Sequence, residues 1–360
     1  MSLFFPPLRP HYEAALRDVE AADPKMRALA AERLGDPRGS EAVENARDRA
    51  VAGLAKLGDD ADATVRTMAI GSLGKLADPR GLELVLARFS DAEGAVREAA
   101  VMAAGEIGGE QAREALRRAC GHERPDVRFQ AVAAYAAVAG EDARAAVSVA
   151  LGDDDPLVRQ SAIESLTTLG PSADACTRIA RLLQDRDESV ADEAAIALGQ
   201  LGDERAVPRL VKLASGPRGF EAMAALGDLR ASGAGDALDA LAGSLLKPLL
   251  VKAAAATALV RIGDPRGEPH FRAVFEAFRN DARTYCVEVI GELRLAAYAE
   301  AIVKMIDRPR GAEPAAIVKA LARLSSRSDV ARHGFESLLA RTDVLGSLAR
   351  EVRGTLPPPA

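Results

Sequence analysis

Apolar residues recur along this chain at helical spacing, inside a unit that itself repeats. Val65, Ala69, Leu73 and Leu76 lie three or four residues apart, and Val96, Ala100, Ala104 and Ile107 reproduce that row one unit later. Such spacing puts each row on one face of a helix. The Val that opens each row stands at 65, 96, 127, 158 and 190, so successive units are offset by 31 or 32 residues. The surrounding segments align as Asp60-Ala-Asp-Ala-Thr-Val-Arg66, Asp91-Ala-Glu-Gly-Ala-Val-Arg97, His122-Glu-Arg-Pro-Asp-Val-Arg128, Asp153-Asp-Asp-Pro-Leu-Val-Arg159 and Asp185-Arg-Asp-Glu-Ser-Val-Ala191. A fixed period of this size marks a repeat array.

Each unit divides in the same way. An acidic loop ends in a residue suited to capping a helix N-terminus, and its acids also favour the positive end of the helix dipole. The Val-Arg helix follows, then a Gly-containing turn such as Leu201-Gly202-Asp203, which suits a left-handed helix end. A shorter helix comes next, as over 82–89 or 207–213. One such hairpin cannot bury its apolar face, whereas stacked neighbours can. Gly74, Gly105 and Gly199 share one register inside the helices, where Gly costs about 1 kcal/mol relative to Ala. Their presence predicts close approach of a neighbouring backbone.

Weaker copies extend the array. Upstream are Asp23-Pro24-Lys25-Met26-Arg27, the turn Gly35-Asp36-Pro37-Arg38-Gly39 and a helix over 41–57. Downstream, 219–229, 249–263, 282–293 and 314–324 keep the helix but lose the Val-Arg. The expected organisation is an N-terminal arm over 1–22, one solenoid over 23–340 and a C-terminal cap and tail over 341–360. The solenoid is regular over 60–213 and divergent over 214–340.

The run Val65-Arg66, Ala69-Ile70, Leu73-Gly74 and Leu76-Ala77-Asp78-Pro79-Arg80-Gly81 resembles the HEAT repeat. More narrowly, it is similar to the short bacterial variety first known from phycobilisome bilin lyases. The resemblance covers roughly 23–340 and is strongest over 60–213. It implies an all-α fold, a right-handed α-solenoid of about ten helical hairpins. It also implies a ladder of charges between neighbouring repeats. The matching positions are Asp60, Asp91, Asp153 and Asp185 with Arg66, Arg97, Arg128 and Arg159, interrupted at His122 and Ala191. Such repeats serve scaffolds, adaptors, inhibitors and a few enzymes, so the fold alone does not assign a function.

Composition narrows the classes. Aromatic residues make up 4% of the chain and Trp is absent, so Ala, Leu and Val carry the burial, as suits closely packed helices. The net charge of −6 argues against a duplex-DNA binder, whose affinity comes from neutralising phosphates. The HEAT-like DNA glycosylases use a basic face with aromatic residues, which this chain lacks. Cys120, Cys176 and Cys286 are far apart and read as small buried hydrophobes of a reducing compartment, which with the absence of a secretory leader or membrane span suggests a cytoplasmic protein without membrane insertion.

Candidate chemistry is sparse. His11, His122, His270 and His333 sit in different units without a paired ligand at helical spacing. Asp153-Asp154-Asp155 reads as a capping loop, and Gly-Asp-Pro-Arg-Gly lacks the Lys-Ser/Thr of a phosphate loop. No catalytic residue, metal or cofactor is expected.

In HEAT units the Val-Arg helix lines the concave side. Positions 67, 68, 71 and 75 and their equivalents then face the groove. They supply Met68, Met102, Phe129 and Ile196 as apolar knobs, with Glu98, Glu106, Glu164, Asp192 and Glu193 around them and Lys75 as the lone base. Apolar anchors in an acidic strip suit a basic or amphipathic segment of a partner protein. The expected function is therefore a non-enzymatic scaffold or adaptor. A bilin lyase-like or other prosthetic-group-handling subunit is the alternative, and nucleic-acid binding ranks below both. Residues 304–353 hold ten Lys/Arg against six Asp/Glu and form a basic C-terminal cap.

Overall fold

The computed structural model describes residues 12–36, 45–277, 279–307 and 311–355, and every regular element among them is helical. The chain is an α-solenoid, divided into two compact units, 1–197 and 198–360.

In the first unit the Val-Arg helices, with the Met26-Arg27 helix before them, stack side by side in chain order. They are Pro24–Leu34, Ala63–Leu76, Gly94–Ile107, Pro125–Ala139 and Pro156–Thr168. A second layer, formed by Ala46–Leu57, Leu82–Ala87, Gly109–Ala119 and Arg144–Ala150, packs on them. The second unit repeats the scheme. Gly219–Asp228, Leu249–Ile262, Asn280–Glu292, Pro314–Leu324 and Val344–Thr355 form its first layer. The expected helix over 41–57 begins at Ala46, while residues 37–44, with most of the early Gly-Asp-Pro-Arg-Gly turn, lie outside the described residues. Within the expected arm, Tyr12–Asp18 is helical and buries Tyr12 and Ala15.

Local chemistry sets the helix ends. Asp23 accepts the N–H of Lys25, Asp62 those of Thr64 and Val65, and Asp155 that of Leu157, so each closes an orphan donor of its helix. Gly202, as the sequence predicts, and Gly263 turn the chain at φ of 82° and 84°.

The core lies between the layers. Val65, Ala69, Leu73, Val96, Ala100 and Ala104 are fully buried. Leu76 and Ile107, the last residues of their rows, are only half-buried because the helix ends there.

Gly residues set how closely the first-layer helices approach. A Cβ on Gly74 would lie 2.8 Å from the Ala103 Cα, one on Gly199 2.7 Å from the Ala225 Cβ, and one on Gly291 2.8 Å from the Ala320 Cα. Small residues on both sides allow these contacts. Gly105 departs from the expectation: its nearest neighbour would be the Ala134 Cβ at 3.9 Å, ordinary contact distance.

Candidate functional site

The loops before the Val-Arg helices carry the charge ladder, and its geometry shows two roles for each residue. Arg66 reaches Asp91 through Nε and Nη2, both at 2.9 Å, while its Nη1 donates to the carbonyls of Asp60 and Ala61 in its own loop. Arg128 does the same with Asp153 at 2.7 Å and with the carbonyls of His122 and Glu123. Arg159 reaches Asp185 at 2.7 Å and holds the carbonyls of Asp153 and Asp154. The acids are equally bound locally. Asp60, Asp91, Asp153 and Asp185 each accept the backbone N–H two residues on. The last residue of the Asp153-Asp154-Asp155 run, Asp155, is a helix cap. These bonds fix the loops and link each repeat to the next.

Two features of the ladder differ from the sequence expectation. It begins one repeat earlier, because Arg27 pairs with Asp60 at 2.6 and 2.9 Å. It also continues across His122: Arg97 turns to Asp126, in the first turn of the next helix, with Nε at 2.9 Å. The His122 Nδ1 meanwhile accepts the Arg124 N–H at 3.2 Å, taking over the local role of the missing Asp. At Ala191 a buried methyl group, which offers no donor, stands where the other units carry the Arg.

Pairing holds Asp60 and Asp91 below the ordinary carboxylate value. For Asp60 the Arg27 hydrogen bond is the largest cause. For Asp91, burial alone would raise the carboxyl, but the hydrogen bonds from Arg66 and the Glu93 N–H outweigh it and leave it below its ordinary value.

The exposed face of the same helices in the first unit is a different surface. Met68 is 41% and Met102 54% exposed. Glu98, Glu106 and Glu164 are exposed and make no ion pair among the described residues. Between Pro125–Ala139 and Pro156–Thr168 lies a cleft of about 190 Å³, lined by Ala133, Ala136, Ala137, Ser165 and Leu169 with Glu164 at its rim. It is mostly apolar, because the outward positions of the first helix are alanines.

Other expected groove residues lie elsewhere. Ile196 is 3% exposed and therefore is not a knob on this face. Its helix, Glu188–Gln200, carries Val190, Ala194, Ala195, Ala197 and Leu198 as well and is buried on nearly every side, so the helical wheel of its neighbours does not transfer to it. Asp192 and Glu193 on that helix are half-buried and have interactions of their own. Phe129 is half-buried, a partial rather than a free anchor.

In the second unit the column equivalent to Lys75 becomes a second ladder, which sequence reasoning missed. Arg261 bonds Asp228 at 2.6 Å and lies 3.5 Å from Glu292, which Arg323 approaches at 4.0 Å. Alternating signs at spacings of 33, 31 and 31 residues were the available signal. Charges of alternating sign thus follow one another across four successive helices.

Groups with reactive potential serve structure. Burial pushes the Cys120 thiol up to about 11 and that of Cys286 to about 12, away from thiolate chemistry. The His270 Nε2 lies 2.9 Å from Asp239, and the His333 Nδ1 2.8 Å from the Asp329 carbonyl. No cluster of three or more His, Cys, Asp or Glu suited to a metal occurs among the described residues, nor is any described helix long and apolar enough to cross a membrane.

Residues 82–167 and 144–225 match HEAT repeats as a sequence family. No curated protein matches the chain. Among solved structures, importin beta superposes with a TM-score of 0.61 at 13% identity, over 95% of this chain and 56% of that one. YibA of Escherichia coli superposes with a TM-score of 0.54 at 17% identity, over 70% of this chain and 92% of its own. These likenesses are of fold alone. The complex of CpcE and CpcF of phycocyanin lyase from Nostoc shares 22% identity over 76% of this chain and 99% of that one. Its TM-score is 0.32.

Proposed function

We propose, from the HEAT repeats this chain carries, that it is a non-enzymatic adaptor and that the exposed Val-Arg face of its first unit is the binding surface. The partner is a protein presenting a basic or amphipathic segment. One observation carries the reading: Met102, 54% exposed, stands on the face that also holds the exposed Glu98, Glu106 and Glu164 and the alanine-lined cleft. A flexible thioether adapts to an incoming apolar side chain, and the carboxylates favour Lys or Arg beside it. A prebuilt surface of packed helices also orders little on binding.

The first test uses Met68→Glu/Met102→Glu in the full chain. Both side chains are exposed, so the variant keeps its helical circular dichroism. Affinity for the partner captured by the wild type falls by about 2 kcal/mol or more, the scale of a hot-spot loss. Equal recovery of that partner by both proteins would remove this face from consideration.

A further inference from the structure

The loops before the first-layer helices change character in the second unit. In four of the five regular repeats the residue five before the Val is the ladder acid, and in Asp91 that side chain is only 4% exposed. In the loop over 243–248, counting back five from Val251 gives Leu246, while Lys252 takes the position of the ladder Arg. Leu246 and its neighbour Leu245 are each 96% exposed. Phe220, which follows the preceding loop of the same edge, is 41% exposed.

The two loops are joined, since Lys247 Nζ donates to the Ser215 carbonyl at 3.3 Å. The Ser244 hydroxyl accepts the Leu246 N–H at 3.2 Å and shapes the tip. Isolated surface leucines are ordinary, but two adjacent leucine side chains almost wholly in water call for a counterpart.

Charge indicates which counterpart. Across 212–222 and 243–253 the charged residues are Lys212, Arg218, Lys247 and Lys252 against Glu221 alone, in a chain whose net charge is −6. Glu221 is tied to Arg218 at 2.5 Å. A protein partner fits this composition poorly, because Leu is under-represented among interface hot spots and Lys is depleted at interfaces. A bilayer interface fits both residue types. Leucines at a loop tip enter the boundary of the acyl region, while lysines extend their stems and leave the ammonium groups among anionic headgroups.

We propose that this edge of the second unit docks peripherally on an anionic lipid surface, with Leu245 and Leu246 entering the interface and Lys212, Lys247 and Lys252 facing headgroup phosphates. No spanning segment is needed, and the binding face of the first unit is not involved.

The experiment is co-sedimentation of the full chain with large vesicles, of phosphatidylcholine alone or mixed with phosphatidylglycerol. The wild type partitions onto the mixed vesicles, less onto phosphatidylcholine, and less again as salt is raised. Leu245→Ser/Leu246→Ser lowers partitioning at least about tenfold, from the apolar burial lost. Lys212→Glu/Lys252→Glu lowers it on mixed vesicles only. The substituted leucines are exposed, so unchanged circular dichroism accompanies the loss. Absence of wild-type binding, or equal binding by the leucine variant, would overturn the proposal. So would a wild-type dimer that the leucine variant converts to monomer without vesicle binding, which would assign the patch to a second copy of the chain.

Discussion

Asp91→Ala lowers the stability of the folded chain by about 3 kcal/mol at neutral pH, the low end for removing one partner of a buried ion pair. Asp91 is 4% and Arg66 14% exposed at the side chain, so the vacated guanidinium edge cannot be fully rehydrated. The effect stays at the low end because Arg66 keeps its bonds to the carbonyls of Asp60 and Ala61. Urea denaturation followed by circular dichroism measures the loss. Asp236→Ala removes a partner of Arg266 that is 98% exposed and leaves the transition unchanged. Equal effects from the two variants would contradict the ladder's role.

The same variant has a defined pH signature. The folded carboxyl of Asp91 lies below its ordinary value, so the unfolded chain takes up its proton first as pH falls. Its contribution is complete above the unfolded value, about pH 4, and disappears as pH falls through the lowered folded value. The stability difference between wild type and Asp91→Ala therefore shrinks below about pH 4. A difference that is constant down to acid unfolding would assign the effect to packing, not to charge.

Gly74→Ala and Gly105→Ala move stability in opposite directions, although the two residues occupy one register of the repeat. At Gly74 the new methyl meets the Ala103 Cα at 2.8 Å and its Cβ at 2.9 Å, and the Glu106 carboxylate beside it must also move. Overpacking against backbone costs about 1–3 kcal/mol. At Gly105 the nearest atoms lie 3.9 Å away, so the helix propensity of Ala prevails and stabilises by up to about 1 kcal/mol. Thermal melts of the two variants distinguish the cases. Destabilisation by both would mean that the helices approach as closely at Gly105 as at Gly74.

These paired cases indicate how much the sequence discloses. The Val-Arg period was legible because one motif recurs every 31 or 32 residues, and the capping acids and several helix bounds because each depends on neighbours within one turn. Pro314–Leu324 and Val207–Leu213 match the expected spans residue for residue. The ladder was legible where one acid recurs at one offset. The Arg97–Asp126 pair was not, because a long guanidinium arm can select a carboxylate four positions from the expected one. Gly105 shows that register alone does not determine the distance between helices. Ile196 failed as a surface residue because the C-terminal half of its helix is apolar and buried on nearly every side, a signal present in Ala194-Ala195-Ile196-Ala197-Leu198 but outweighed by alignment to the other repeats. The cleft beside Glu164 depends on the space between two helices and has no one-dimensional signature.

The central claim is that a partner sits on the exposed Val-Arg face of the first unit. Its most direct test places the photo-crosslinker p-benzoylphenylalanine in the full chain, either at Met102 or at Val149. Val149 is 75% exposed on Arg144–Ala150 in the opposite layer. After irradiation in cells, a discrete adduct should form from position 102 and not from position 149. An adduct from position 149 alone, or the same adduct from both positions, would contradict the claim.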